Sequence, residues 1–201
     1  MKLYFSPGAC SLASHITLRE LGLKFEIEKV DIKAKKTASG ADFNAINSKG
    51  YVPVLEIENG VFLTEGTAIL QYLADKKPEA GLAPANGTLP RYRMQEWLGF
   101  INSEIHKTFS PLFSPDTPEQ TRNGSIEKLG KRFDYVQSKL GDNEYLTGKQ
   151  FTIADAYLYT VINWTQFVGI DLGKWPVLKA FHARVAARPT VQAAHAAEKA
   201  A

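Results

Sequence analysis

The chain has one cysteine, no long apolar run and little net charge, and each of these features excludes some classes of protein. A single thiol excludes an intrachain disulfide and a zinc site built on several thiolates, so we expect no metal. No apolar run comes close to the length of about 18 residues that is needed to span a bilayer. Ser6-Pro7-Gly8 also interrupts the segment where a secretory signal would be apolar. We therefore expect a cytoplasmic protein without a membrane partner.

The charge of the chain gives no sign of a nucleic-acid partner. The formal net charge is only +3, and the two signs are interspersed along the sequence. Hydrophobic residues make up 44% and charged residues 22%, which is the composition of an ordinary folded protein. The length fits one large domain or two small ones.

The first part of the chain alternates between strand and helix patterns. Asn59-Gly60 between two apolar runs predicts a β-hairpin. The remaining segments are a strand, a helix, a half-buried strand and a second helix, at Lys2–Phe5, Ser11–Leu21, 25–32 and 66–75. Together they predict a compact α/β domain over 1–81.

The rest of the chain predicts helices only. Proline, glycine and asparagine are frequent just before Pro90, which is typical of a connection between domains. Thr152, with Asp155 three residues on, has the pattern of a capping box. Helical periodicity covers about 90–112, 119–140, 153–168 and 176–187, with a short helix after Pro189. We predict a linker at 82–89 and an all-helical domain over 90–201.

Cys10 lies between the first predicted strand and the first predicted helix, directly before the helix begins. Unpaired N–H groups and the helix dipole at that point favour a thiolate, which is the reactive form of cysteine. A buried structural thiol is the alternative, since free cysteine is often buried. Cys10-Ser11-Leu12-Ala13 contains no second cysteine to resolve a mixed disulfide, so redox chemistry here would need a thiol from outside, such as a small thiol cosubstrate.

Two further segments fit the binding of a small peptide. Pro53 cannot donate to a sheet ladder, so it either begins a strand or bends the chain and leaves the Val52 backbone free to pair with a peptide. Glu65 precedes a helix N-terminus, where a carboxylate and free N–H groups could bracket a zwitterion. The alternative is that Glu65 only favours the helix dipole.

The ordered set of these motifs resembles the glutathione transferases, in particular their bacterial beta class. The likeness spans essentially the whole chain, and the presence of both Cys10 and His106 makes it specific. The matching segments are Ser6-Pro7-Gly8-Ala9-Cys10-Ser11-Leu12-Ala13-Ser14-His15, Lys35, Lys49-Gly50-Tyr51-Val52-Pro53, Leu63-Thr64-Glu65-Gly66, Glu104-Ile105-His106-Lys107 and Phe151-Thr152-Ile153-Ala154-Asp155-Ala156-Tyr157-Leu158.

The resemblance implies a fold and a glutathione site. The fold would be a thioredoxin-like α/β domain followed by an all-α domain, and His15 we interpret as structural. Val52-Pro53 would contain a cis bond, and Val52 would pair with the cysteinyl backbone of glutathione. Cys10 and His106 would be catalytic, with both lying beside the glutathione sulfur. The glutathione-binding residues would be Cys10, Lys35, Val52, Glu65, Gly66, Gly99, Ser103, Glu104 and His106.

Gly99, Ser103 and His106 stand at i, i+4 and i+7, so a regular helix would place them on one strip. A histidine there could donate a hydrogen bond to a sulfur anion across the domain interface. Beta-class members often carry asparagine where this chain has Gly99. Asn102, about 60° away around a regular helix, could partly replace that amide.

The resulting hypothesis is an enzyme that binds glutathione as cosubstrate, with no permanent cofactor. It would conjugate the glutathione thiolate to a small hydrophobic electrophile in detoxification, or exchange thiol and disulfide through Cys10. The alternatives are a non-enzymatic interaction or stress protein, and a dedicated glutathione-dependent isomerase or dehalogenase. Members of the family that the chain resembles commonly form dimers, which implies a homodimer here. The predicted electrophile pocket consists of Phe109, Phe113, Trp164 and Phe167, which could equally belong to the core.

Overall fold

The computed structural model describes residues 1–201, and their contacts define two units. The first comprises Met1–Ala83 together with Ala187–Ala201, and the second comprises Pro84–Ala186. The last helix therefore belongs with the α/β unit, although sequence periodicity groups it with the other helices. The predicted domain bounds and the linker at 82–89 stay a prediction.

The apolar runs of the first unit form one five-stranded sheet. Its spatial order is β3-β2-β1-β4-β5, with β1 parallel to β2 and the other pairs antiparallel. The strands are β1 (Lys2–Phe5), β2 (Glu26–Asp31), β3 (Lys36–Thr37), β4 (Val54–Glu58) and β5 (Val61–Thr64). The Asn59-Gly60 turn between β4 and β5 confirms the predicted hairpin.

Four helices accompany this sheet in the first unit: α1 (Ser11–Glu20), α2 (Phe43–Ile46), α3 (Gly66–Lys76) and α10 (Pro189–Ala200). The sequence patterns predict no element between 33 and 50, a polar segment where β3 and α2 form. That stretch is anchored by Phe43, which is fully buried in a core cluster with Tyr4 and Val54. A single aromatic in a polar segment gives no periodicity to detect, so both short elements escape prediction.

Helix α10 is held against α1 by charged contacts. Glu20 accepts hydrogen bonds from Nε and Nη2 of Arg188 at 2.7 and 2.8 Å. Glu198, near the other end of α10, is 3% exposed and bonds to His15, which is completely buried. Residues far apart in the sequence thus complete the first unit.

The second unit is entirely helical, and its longest helix has the predicted bounds. The helices are α4 (Leu89–Phe100), α5 (Lys107–Phe109), α6 (Glu119–Leu140), α7 (Ile153–Ile162), α8 (Thr165–Val168) and α9 (Pro176–Ala186). The two main elements are α6, which is amphipathic, and α7, which is buried along its whole length. The predicted helix at 153–168 is divided in two, since Asn163 and Trp164 separate α7 from α8.

The chain is helical throughout the predicted range 90–112, but it does not form one regular α-helix there. Ile101–His106 forms a π-helical segment between α4 and α5, and a 3₁₀ turn follows at Ser110–Phe113. The regular spacing that placed Gly99, Ser103 and His106 on one strip therefore does not hold, because a π-helical turn contains more residues than an α-helical one. Such segments often occur at functional sites.

The predicted capping box at the start of α7 is confirmed. The Asp155 carboxylate accepts hydrogen bonds from the Thr152 N–H at 2.8 Å and the Thr152 hydroxyl at 2.7 Å. Its second oxygen accepts from the Leu146 N–H at 2.8 Å. Burial raises the pKa of Asp155 to about 6, against these hydrogen bonds, which favour the charged form.

Candidate functional site

Three of the predicted site segments meet at one end of the sheet in the first unit. Cys10 follows the last residues of β1, Val52-Pro53 precedes β4, and Glu65-Gly66 follows β5. Because β4 runs antiparallel to both neighbours, with Val54 paired to Tyr4 and to Thr64, these three chain ends lie at the same edge. A Cβ built on Gly66 would lie 3.8 Å from Cγ of Pro53, which shows how closely two of the segments approach.

The thiol of Cys10 points at the backbone of Val52. Sγ donates to the Val52 carbonyl oxygen at 3.3 Å, and the Cys10 side chain remains partly exposed. Cys10 itself is the residue that precedes α1, so the first-turn N–H groups of that helix follow it directly. The thiol therefore stands at a helix N-terminus, partly open to solvent.

The Val52-Pro53 peptide bond is cis. Val52 lies beyond the last β1–β4 pair, so its backbone is outside the ladder. Its side chain is anchored in the core cluster with Tyr4, Phe43 and Val54. A fixed side chain and a backbone outside the ladder give this position the geometry of a docking edge.

Glu65 has an unusual backbone. Its φ of 67° lies in the left-handed region that favours glycine, directly before α3. Such strain is retained where the surrounding structure needs the conformation, and it is frequent at ligand sites. The Glu65 carboxylate bonds to Nζ of Lys49 at 2.5 Å, and Lys49 also donates to the Thr64 hydroxyl at 2.8 Å. The carboxylate is 67% exposed, so it can still reach a ligand.

Lys35 has the second positive φ among the non-glycine residues, at 55°. Its ammonium donates to the Gly50 carbonyl at 3.0 Å, which directs the side chain toward the segment that leads to Val52. Gly50 has a φ of 66°, in the left-handed region that favours glycine, and a Cβ there would lie 3.0 Å from Nζ of Lys35. Lys35 thus supplies a positive charge beside the docking edge.

A buried network holds the turn that precedes Cys10. The Gly8 N–H donates to Oε2 of Glu198 at 3.1 Å, and Oε1 of Glu198 bonds to Nδ1 of His15 at 3.1 Å. Nε2 of His15 accepts from Nε of Arg19 at 3.0 Å, so Nδ1 carries the proton. The structural interpretation of His15 fits this role, but its partner Glu198 was not predicted, because a contact across 190 positions leaves no local pattern.

The remaining predicted site residues belong to the second unit. Nδ1 of His106 lies 2.6 Å from the Tyr157 hydroxyl, and its ring packs edge-on against Trp164, with centroids 4.8 Å apart. Burial, and secondarily the charge of Lys107, lowers the pKa of His106 to about 4. The ring is therefore neutral at pH 7.

The other predicted site residues near His106 differ in their contacts: Ser103 and Glu104 bond to groups of the second unit, and Gly99 has open space beside it. Ser103 is exposed, and its hydroxyl bonds back to the Gly99 carbonyl at 3.0 Å. The Glu104 carboxylate is engaged by Arg132 at 2.6 Å and by Lys128 at 3.5 Å, and the hydrogen bond from Arg132 lowers its pKa. A Cβ on Gly99 would meet no atom within 4 Å, so the position has room for a longer side chain.

The four predicted pocket aromatics divide into two kinds. Phe109 is completely buried and Trp164 is 5% exposed, whereas Phe113 is 50% and Phe167 64% exposed. Phe113 packs on Phe109 and Trp164, with ring centroids 6.3 and 5.4 Å away. The buried pair belongs to the core, and Phe113 is the ring that extends this cluster to the surface.

No cluster of metal-ligating side chains is present, and none of the helices has the length and apolar character that crossing a membrane requires. The mixed sheet, with a cysteine at the first helix and a cis-proline before β4, defines a thioredoxin-like unit, which is followed in the chain by an all-helical unit.

Comparison with known proteins identifies the family. Residues 8–76 match the model of the glutathione S-transferase N-terminal domain, and residues 100–189 match that of the C-terminal domain. The chain is 48% identical over 198 residues to the glutathione S-transferase GstA of Escherichia coli O157:H7, covering 98% of each chain. It therefore belongs to the glutathione S-transferase family and is a transferase.

Solved structures agree with this assignment. A bacterial beta-class glutathione S-transferase from Sphingomonas chungbukensis superposes with a TM-score of 0.95 at 45% identity, over 98% of each chain. A sphingomonad glutathione S-transferase solved in complex with glutathione superposes with a TM-score of 0.96, also at 45% identity, over the full length of both.

Proposed function

We propose that this transferase binds glutathione at the sheet end of the first unit and conjugates its thiolate to a small hydrophobic electrophile. The observation that carries the proposal is the convergence of the Cys10 thiol, the Val52 backbone and Glu65-Gly66 on one edge. The complex of the sphingomonad relative with glutathione supports glutathione as the ligand.

Each part of the tripeptide has a matching group in this proposal. The cysteinyl backbone pairs with Val52 as an added strand would. The γ-glutamyl end meets Glu65, which attracts its ammonium, and the N-terminus of α3, which attracts its carboxylate. Lys35 takes the glycyl carboxylate, since it is the ammonium held beside Gly50. Gly99, Ser103, Glu104 and His106 remain proposed contacts that rest on the family resemblance.

Two chemistries follow for the sulfur. In conjugation, the glutathione thiolate attacks an electrophilic carbon, and the leaving group departs with the bonding electron pair. In exchange, the Cys10 thiolate attacks glutathione disulfide, which forms a mixed disulfide and releases one glutathione thiolate. The partly exposed Cys10 at a helix N-terminus supports the second chemistry. Phe113, half exposed beside Trp164, is the proposed contact for an apolar electrophile.

We also propose a homodimer. Strand β5 lies at the edge of the sheet and exposes Val61 at 51% on one face and Phe62 at 38% on the other, so its open edge is available to a partner. The family resemblance points the same way. Sedimentation analysis should give twice the mass of one chain, and a single-chain mass at micromolar concentration would contradict this part.

The binding experiment is retention on immobilised glutathione followed by calorimetric titration. We expect the wild-type chain to be retained, and Glu65→Gln to bind glutathione about tenfold more weakly, because one charged hydrogen bond is lost. Glu79→Gln is the matched control, since Glu79 is an exposed carboxylate elsewhere in the first unit. A wild-type chain that does not bind glutathione would remove the basis of the proposal.

The chemistry experiment uses the single thiol. Incubation with glutathione disulfide should add one glutathionyl group to the wild-type chain, as read by intact mass, and none to Cys10→Ala. The Cys10→Ala variant should still bind glutathione. Because the chain has no other cysteine, an adduct at full level in Cys10→Ala would contradict the assignment.

A further inference from the structure

An ion pair lies at the proposed position of the γ-glutamyl group in the first unit, and the proposed function uses only its carboxylate. Nζ of Lys49 donates to Oε1 of Glu65 at 2.5 Å and to the Thr64 hydroxyl at 2.8 Å. The side chains of Lys49 and Glu65 are 43% and 67% exposed. The pair is therefore formed and still open to a ligand.

Each member of this pair has bonding capacity left. An ammonium has three N–H donors, and Lys49 uses two of them. A carboxylate has two oxygens, and only Oε1 of Glu65 bonds to Lys49. One N–H of Lys49 and the Oε2 atom of Glu65 are left for a ligand that carries both a carboxylate and an ammonium.

The turn that carries Lys49 is fixed by a buried side chain. Asn47 is 5% exposed, and its Oδ1 accepts from the Lys49 N–H at 3.2 Å. Its Nδ2 donates to the Tyr51 carbonyl at 2.7 Å, and its own carbonyl accepts from the Gly50 N–H at 2.8 Å. Because the backbone on both sides of Lys49 is already ordered, the entropy lost on binding is confined to the lysine side chain.

We infer that Lys49 is a further binding residue, which holds the α-carboxylate of the γ-glutamyl group while Glu65 holds its ammonium. The inference rests on the proposed function, because glutathione is the ligand in question. In the γ-glutamyl group the ammonium and the α-carboxylate share one carbon atom, so they lie side by side, as Nζ of Lys49 and Oε1 of Glu65 do. The four charges then alternate in sign, and each charge has attractive neighbours.

The start of α3 adds uncharged donors for the same carboxylate. The first two hydrogen bonds of this helix both go to the Glu65 carbonyl, at 3.0 Å, so the helix does not use the N–H groups of Gly66 and Thr67. Gly66 has no side chain that could donate. The charged donor for the carboxylate is therefore Lys49.

The charges of the site also match those of the tripeptide. Glutathione with a neutral thiol carries two carboxylates and one ammonium. The site supplies two positive charges, on Lys35 and Lys49, and one negative charge, on Glu65. Lys35 bonds to the Gly50 carbonyl and is the proposed partner of the glycyl carboxylate, which leaves Lys49 for the α-carboxylate.

Two analogues of glutathione separate the roles of the two charges. The 4-aminobutyryl analogue lacks only the α-carboxylate, and the glutaryl analogue lacks only the ammonium. In calorimetric titrations of the full chain, Lys49→Met should weaken the binding of glutathione and of the glutaryl analogue about tenfold, because a charged hydrogen bond is lost. The affinity for the 4-aminobutyryl analogue should stay within about twofold, because that ligand has no group for Lys49 to bind. Glu65→Gln should show the opposite pattern with the two analogues.

Two further variants serve as controls. Lys49→Arg keeps the positive charge, so it should bind glutathione within about threefold of the wild-type affinity. Lys24→Met is the matched control and should bind as the wild type does. Lys24 is exposed and precedes β2, which runs parallel to β1, so it lies at the opposite end of the sheet from Cys10.

The inference and the proposed function fail in different ways. If Lys49→Met bound glutathione as tightly as the wild type or more tightly, the inference would be overturned, since Lys49 would then be at most a competitor for Glu65. Equal losses for both analogues in Lys49→Met would also overturn it, because they would indicate a structural effect. In both cases the wild-type chain still binds glutathione and the proposed function stands. A wild-type chain that does not bind glutathione contradicts the proposed function and the inference with it.

Discussion

The contact between Glu198 and the turn before Cys10 predicts a large, local effect of one substitution. In Glu198→Ala the buried His15 Nδ1–H loses its acceptor, and the partly exposed Gly8 N–H loses its bond to the carboxylate. An unsatisfied buried donor costs about 1–3 kcal/mol, so the loss at His15 should destabilise the first unit by about 1–3 kcal/mol, with a smaller addition from Gly8. Glu198→Gln keeps one carbonyl oxygen and should cost about half as much.

The stability of the first unit has to be measured separately from that of the second unit. All three tryptophans, Trp97, Trp164 and Trp175, lie in the second unit, so their fluorescence during urea titration gives an internal reference. Hydrogen exchange by mass spectrometry over residues 6–20 reports on the first unit. A cost of 2 kcal/mol corresponds to exchange about 30 times faster in Glu198→Ala, since each factor of ten is about 1.4 kcal/mol.

The matched control is Lys199→Ala, which changes an exposed neighbour on the same helix. It should alter exchange by less than about 0.5 kcal/mol. If Glu198→Ala exchanged no faster than Lys199→Ala over residues 6–20, the hydrogen bonds to Gly8 and His15 would carry no energy, and the reasoning would be refuted. The iodoacetamide reaction rate of Cys10 should change in Glu198→Ala as well, because the turn that positions the thiol is released.

Two further predictions concern His106 and Glu65. The pKa of His106 is lowered to about 4 in the folded chain, against 6.5 for an ordinary histidine, so its contribution to stability is present above pH 6.5 and is lost as the pH falls through 4. The stability difference between wild type and His106→Asn should therefore shrink by about 3 kcal/mol over that range in urea titrations read by tryptophan fluorescence, and parallel pH curves would contradict this. Glu65→Gly removes a left-handed glutamate, so it should leave stability unchanged or raise it by up to about 1 kcal/mol while glutathione affinity falls; undiminished affinity would argue against Glu65 as a ligand.

Elements with a local pattern could be predicted from the sequence. The Asn59-Gly60 hairpin is dictated by turn chemistry, and the start of α7 by the Thr152–Asp155 pair. Cys10, Val52 and Glu65 can be recognised because a thiol, a residue before proline and a carboxylate each stand at the end of a predicted element. Such positions can be recognised without knowledge of tertiary contacts.

Features that depend on distant contacts could not be predicted. The π-helical segment at Ile101–His106 has no helix-breaking residue in the sequence, so the apolar periodicity continues through it. The hydrogen bond of the His106 ring joins it to Tyr157, which is 51 positions away. The bond from Lys49 to Glu65 joins residues 16 positions apart and depends on the pairing of β4 with β5.

The bond from Gly8 to Glu198 also has a consequence for how the protein is made. Residues 1–83 contain every strand, yet the turn that presents the thiol lacks its acceptor until position 198 has left the ribosome. During translation the turn before Cys10 thus lacks one of its restraints, and that restraint arrives only with α10. Proteolytic removal of α10 would take the same restraint away from the folded protein.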